Sequence, residues 1–171
     1  MDASNNQLFD FTSYIESLCK YHIDINHTED NKHFVELNEE QQLVDSKTLC
    51  YPLVTIDKLT VHYTGGDDFM NKSRYVELMF LNSTADAHDF KRIQEIKNGM
   101  ERVAEDFLRK IKKDKRNRKI YPFLRNLSLS DVELDFVENS ALRVYGALLS
   151  FNFELAFDET LEPGRFGEVE S

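Results

Sequence analysis

ALLSFNFELAF, residues 147–157, is the stretch that decides the fold. Ala147, Leu149, Phe151, Phe153, Leu155 and Phe157 fall on one parity; Leu148, Ser150, Asn152, Glu154 and Ala156 fall on the other. A period of two held over the whole stretch is a β-strand with one buried face. At about 3.3 Å per residue it is roughly 35 Å long, about twice the usual strand. A face of that length has to be covered by a helix or a second sheet, and the rest of the chain must supply the cover.

Working outward, residues 131–138 alternate in the same way. Val132, Leu134 and Phe136 are expected inside and Asp131, Glu133 and Asp135 outside, with Glu138, Asn139 and Ser140 turning the chain into the long strand. A long helix is expected over residues 85–113, after the capping residues of NSTADAHD. Phe90, Ile93, Met100, Val103, Phe107 and Ile111, joined by Ile96, Ala104 and Leu108, form its apolar stripe. Residues 49–63 and 73–81 read as strands joined by a hairpin across Gly65–Gly66. Parity switches at Asp57–Lys58, which predicts a bulge or a break, and Pro52 disfavours a central ladder position at the strand's start. Residues 33–38 make a short strand, followed by an acidic exposed loop. A first helix, capped by Asn5 or Asp10, runs to about Tyr21 with Phe11, Tyr14, Ile15 and Leu18 on one stripe.

The order is therefore α-β-β-β-α-β-β. It predicts an α+β fold, a largely antiparallel sheet with two main helices packed on one face. Residues 1–159 form one domain, and residues 160–171, with Pro163, Gly164 and Gly167, a flexible C-terminal tail.

A chain of 171 residues suits a single domain, and 13 Phe with 7 Tyr and no Trp supply the bulk of its core. No apolar run approaches the ~20 residues of a membrane span, and MDASNNQLFDF lacks the basic start and apolar stretch of a signal peptide. A cytoplasmic protein with no membrane partner is expected. Cys19 and Cys50 then read as reduced core thiols, and the N-x-S/T matches at Asn26, Asn82 and Asn126 carry no meaning.

Net charge is −10 but unevenly spread. Residues 109–119, RKIKKDKRNRK, hold eight of the 21 basic residues and one of the 31 acids, leaving 13 basic and 30 acidic elsewhere. The acidic remainder repels nucleic acid at long range. Arg109, Lys110, Lys112, Lys113, Lys115, Arg116, Arg118 and Lys119 exceed what a helix dipole needs for compensation. Contact with an acidic protein surface, a merely solvated loop, and contact with nucleic-acid phosphate are the three readings of this segment. Nucleic-acid binding usually adds stacking aromatics, and only Tyr121 and Phe123 lie nearby.

Catalytic signatures are missing: there is no Gly-rich phosphate loop, no G-x-S-x-G and no C-x-x-C. No enzyme activity and no cofactor are expected. His22, His27 and His33, with Asp24, Glu29 and Asp30, come nearest to a metal cluster. Spacings of five and six do not put these histidines on one helical face, so they read as a polar surface loop and no metal is assigned. Asp131, Glu133 and Asp135 share one strand face. Acid–base work needs a desolvated carboxyl, so this row reads as a solvated face and an electrostatic contact surface.

The layout, an amphipathic N-terminal helix, a hairpin region, a long central helix and a last strand pair ending in YGALLSFNFEL (145–155), resembles the small tail-terminator and head–tail joining proteins of long-tailed phages. The resemblance covers roughly residues 5–158. It implies a phage or prophage virion assembly protein, an α+β subunit that forms a homo-oligomeric ring and meets tail-tube or connector proteins. It implies no catalytic residues and no cofactor, and a place in the cytoplasm during assembly and in the virion afterwards. Such rings close through head-to-tail contacts between complementary patches. The basic 109–119 end would meet a neighbour's acidic 38–46 loop or its Asp131/Glu133/Asp135 face. The alternative is a cytoplasmic binding module that engages nucleic acid or an acidic protein through residues 109–119.

Overall fold

The alternating stretch lies in a strand, β5 (Val144–Ala156), flanked on both sides by antiparallel neighbours. The computed structural model describes residues 3–36, 49–66, 69–117, 120–121, 123–124 and 127–156. The remaining strands are β1 (Lys32–Glu36), β2 (Leu49–Gly66), β3 (Phe69–Ser83) and β4 (Leu127–Asn139), and the helices are α1 (Ala3–Tyr21) and α2 (Phe90–Lys115). The sheet runs β1-β2-β3-β5-β4, every pair antiparallel except the parallel β1–β2. This is an α+β fold with a mostly antiparallel, mixed sheet.

Besides a shift between Lys32 and Phe34 at the start of β1, two register shifts break the ladders, between Ile56 and Lys58 in β2 and between Ser128 and Glu133 in β4. Counted as separate segments they give seven strands and the order α-β-β-β-β-α-β-β-β, which departs in detail from the expected order. The β2 shift has the cause read from the sequence. Asp57 is the extra residue of a bulge, so Val54 and Ile56 share a face with the opposite parity beyond it.

Both helices pack on one face of the sheet. Ile93, Ile96, Met100, Val103, Ala104, Phe107 and Ile111 of α2, and Phe11, Tyr14, Ile15 and Leu18 of α1, bury against Val54, Ile56, Val76, Leu78, Phe80, Ala147, Leu149 and Phe151. Each large apolar side chain fully removed from water contributes about 1.5–3 kcal/mol. Phe107 meets Phe80 edge-on at 5.0 Å, and Phe11 meets Phe151 at 6.1 Å. Asp89 starts α2 by accepting the Arg92 N–H at 2.9 Å, and Lys112, Lys113 and Lys115 in the last turn complement the helix dipole.

Several expected boundaries move. Asn5 and Asp10 lie inside α1, which begins at Ala3. The long helix begins at Phe90 rather than residue 85, because Thr84 and Asp86 accept backbone N–H groups from Asp86 and His88 and hold residues 84–88 in turns. Phe90 therefore precedes the buried stripe and is 77% exposed. Gly65 and Gly66 sit in the ladder opposite Met70 and Phe69, so they are strand residues rather than the hairpin turn. Phe136, expected inside, is 46% exposed because β4 is the edge strand and projects past the helix layer. The acidic loop, the tail beyond residue 159 and Phe157 lie outside the described residues.

Candidate functional site

The surface that carries the charge segregation is built where the end of α2 meets β4. Lys115 Nζ donates to the carbonyl of Leu127, the first residue of β4, and ties the two elements together. The basic run does not form one free patch. Arg109 forks onto Asp106 at 2.7 Å and Glu105 at 2.5 Å, one turn back on the same helix face. Lys110 Nζ lies 2.6 Å from Asp114. Lys112, Lys113 and Arg116 are exposed and make no ion pair among the described residues. Arg118 and Lys119 lie outside those residues.

Asp114 is the residue that sequence reading missed. It continues the stripe of Phe107 and Ile111, and it is buried. A buried carboxylate at a helix C-terminus opposes the dipole, and it is held by Lys110 and by the Tyr14 hydroxyl, which donates to Asp114 Oδ2 at 2.9 Å. Burial and this acceptor push the Tyr14 phenol far above its usual range, so it stays protonated as the donor. The signal was present in the sequence: the single acid of RKIKKDKRNRK falls at helical spacing on the apolar stripe.

The acidic row is exposed as expected. Glu133 and Asp135 pair in register with Ser150 and Leu148, on the face of the sheet away from the helices. Asp131 is exposed on the same strand, and Asp135 accepts the N–H of Phe136 at 2.7 Å. The cations of α2 lie on the helix face, so the sheet separates the two charge sets within one subunit. Between them runs the outer edge of β4, which has no strand partner among the described residues, with Val132 and Leu134 half-buried on its helix side.

The histidine-rich connection is exposed along most of residues 23–32, as a polar surface loop would be, but two of its residues turn inward. Ile25 and His27 are buried beneath α1, and His33 Nδ1 bonds the Pro52 carbonyl at 2.7 Å. His27 Nδ1 accepts the His33 N–H at 3.0 Å, which leaves the ring proton on Nε2, 3.6 Å from Glu16. Burial holds the imidazole neutral and lowers its pKa, with Glu16 opposing and Lys20 and His33 reinforcing the shift. Below about pH 6.5 the unfolded chain takes up this proton first, so stability present above that pH is lost as the pH falls. His27→Asn keeps an acceptor near Nδ1 without the titration. Thermal melts between pH 7.5 and pH 5 are expected to show a flatter decline for the variant, and an identical slope would contradict this reading.

Among the described residues no group of three or more His, Cys, Asp or Glu side chains is placed to hold a metal ion, and no helix is long and apolar enough to cross a membrane. A cleft of ≈ 190 Å³ between α1 and α2 is lined by Leu18, Tyr21, His22, Asp106, Phe107 and Lys110. His22 Nε2 lies 3.7 Å from Asp106 there, but its Nδ1 accepts the Asp24 N–H and no serine, threonine or cysteine is among these lining residues. Cys19 is buried, and desolvation pushes its thiol far up, away from nucleophilic use. No protein-family model matches the chain, and no curated protein matches it in sequence.

Proposed function

We propose that this chain is a non-enzymatic assembly subunit of a phage or prophage virion, a tail-terminator or head–tail joining protein that forms a homo-oligomeric ring and meets tail-tube or connector proteins. The observation that carries the assembly reading is the arrangement around β4: among the described residues, a strand edge without a strand partner, Lys112, Lys113 and Arg116 exposed and without an ion pair on one side, and the exposed Glu133 and Asp135 on the other. The phage assignment adds the resemblance in layout. Like charges directly opposite one another destabilise a strand pair, so a two-fold β4–β4 contact would set acid row against acid row. A head-to-tail contact instead brings one subunit's cations to the next subunit's acids, and repeated rotation of that kind closes a ring. The subunit works by shape: the sheet–helix core holds edge and charges in fixed positions, and the chemistry is ion pairing and burial alone.

Light scattering on concentrated protein tests this. At low salt the mass is expected to rise above the 20.1 kDa subunit and to fall back as salt shortens the screening length to about 3 Å at 1 M. Lys112→Glu/Lys113→Glu/Arg116→Glu is expected to weaken association about 100-fold, since each exposed pair is worth up to ~1 kcal/mol. A monomer under every condition would count against assembly. Salt-sensitive retention of DNA that the same substitutions abolish would favour a nucleic-acid-binding module instead.

A further inference from the structure

One apolar side chain stands in solvent beside the unpaired cations of α2. Ile120 is 62% exposed, one turn beyond Arg116. Its position is fixed: its N–H and that of Tyr121 both donate to the Asn117 carbonyl at 3.1 Å, and the Tyr121 ring packs edge-on against Tyr14 at 5.1 Å. A single exposed apolar side chain needs no explanation by itself. This one has a counterpart elsewhere on the molecule.

The counterpart lies on the sheet face away from the helices. β5 turns Ala147, Leu149 and Phe151 into the helix-side core, so Leu148 and Ser150 fall on the other face. Leu148 pairs with Met79 on one side and Asp135 on the other, and Ser150 pairs with Glu77 and Glu133. Neighbouring strands are about 4.8 Å apart, so Asp135 and Glu133 stand directly beside Leu148 and Ser150. Ser150 is small and buried, and Leu148 and Met79 are half-buried. The result is a shallow seat with an apolar floor and an acidic rim. Glu77 stands opposite Lys58 in the ladder, whereas Glu133 and Asp135 are exposed and make no ion pair among the described residues.

We infer that Ile120 of one subunit seats on Leu148 and Ser150 of the next, while Lys112, Lys113 and Arg116 reach that subunit's Glu133 and Asp135. This rests on the head-to-tail assembly proposed above and names its apolar centre. Exposed ion pairs contribute little each and select partners more than they hold them. A desolvated side chain at the middle supplies the affinity they lack, and the water it excludes strengthens the pairs around it.

The positions of anchor and seat make the occupant a second copy and set the symmetry. Ile120 follows α2 on the helix side, next to Tyr121, which packs on the helix-side core. The seat is on the reverse of the sheet, so a subunit cannot fill its own. Two copies related by a two-fold axis present the same face to each other, so anchor would meet anchor or seat would meet seat. Only a head-to-tail contact joins the two, and it leaves one anchor and one seat free for the next subunit.

Cysteine trapping tests the contact. Ile120→Cys and Leu148→Cys are made separately in a Cys50→Ser chain, Cys19 being buried, and treated with a short bis-maleimide at low salt. A cross-linked pair at twice the 20.1 kDa subunit mass is expected from the mixture, much less from either variant alone, and little from the mixture in about 1 M salt. Ile120→Ser, at an exposed site where folding is not at stake, is expected to weaken association about 10-fold in light scattering, with its salt dependence unchanged. Ile120→Cys chains that cross-link to one another overturn the inference, since they report a two-fold contact. So does a wild-type chain that assembles while Ile120→Ser associates equally tightly, or while the two folded cysteine variants give no mixed pair; assembly then stands without this seat. A wild-type chain that stays monomeric at every salt concentration removes both.

Discussion

Phe107→Ala is expected to lower the free energy of unfolding by about 3–5 kcal/mol. The ring is 1% exposed, stands edge-on to Phe80, and belongs to the cluster that joins α2 to the sheet. Helix and strands enclose it on both sides, so the space it leaves cannot collapse without moving one of them. Against the ~5–15 kcal/mol typical of a folded domain, this one change removes a large fraction of the stability. Urea unfolding should show the midpoint falling at unchanged slope. Phe90→Ala serves as the contrast, since that ring is 77% exposed and its loss should stay within about 0.5 kcal/mol. A loss below about 1 kcal/mol at Phe107 would mean that α2 does not clamp the sheet there.

Gly146→Ala is expected to cost about 3 kcal/mol although it adds a single methyl group. Gly146 pairs with Leu81 on one side and Val137 on the other, at the middle of three strands. A Cβ built there would collide with the Phe80 carbonyl and come within 3.0 Å of the Leu81 Cα. Both are backbone atoms of a paired strand, so relief requires β3 and β5 to separate. The glycine is needed for close approach and not for an unusual turn. Calorimetric melting of the variant measures the cost, and a wild-type transition would show that the two backbones have room to spare.

Where the period of two was long and one-sided, the sequence reading found the structure. The face of Ala147, Leu149 and Phe151 is buried under the stripe of Ile96, Met100, Val103 and Phe107, as the alternation required. The bulge at Asp57 was legible because an inserted residue flips parity, and parity is written in the side chains. Turn chemistry was less legible. Asp86 and Thr84 look like helix caps, but their side chains hold a turn, and Asp89 is the cap. Lateral position was not legible at all. Nothing in Val132, Leu134 and Phe136 says that their strand lies at the edge, where the helix layer covers Val132 and Leu134 only in part and leaves Phe136 half in solvent.

The candidate surface was read at the level of charge and not of pairing. Eight cations in eleven residues suggested one patch, yet Arg109 and Lys110 find carboxylates one turn away and Lys115 finds a backbone carbonyl. These partners depend on helix phase and on where β4 starts. Among the described residues the cations left over are Lys112, Lys113 and Arg116, which define the surface more narrowly than the run itself. His27 went unread for a similar reason. Its neighbours in sequence are polar, while its neighbours in space are Phe34 and α1.

The measurement that bears most directly on head-to-tail assembly is a charge exchange between two variants. One carries Lys112→Glu/Lys113→Glu/Arg116→Glu and the other Glu133→Lys/Asp135→Lys, each studied alone and then mixed in equal amounts, with mass followed by analytical ultracentrifugation at low salt. In a head-to-tail contact each variant alone sets like charge against like, and only alternating mixed subunits restore opposite charges at every junction. The expected result is monomer for each variant alone and oligomer for the mixture. Oligomers of undiminished mass from both separate variants, or a mixture that stays monomeric while the wild-type chain assembles, would contradict the contact.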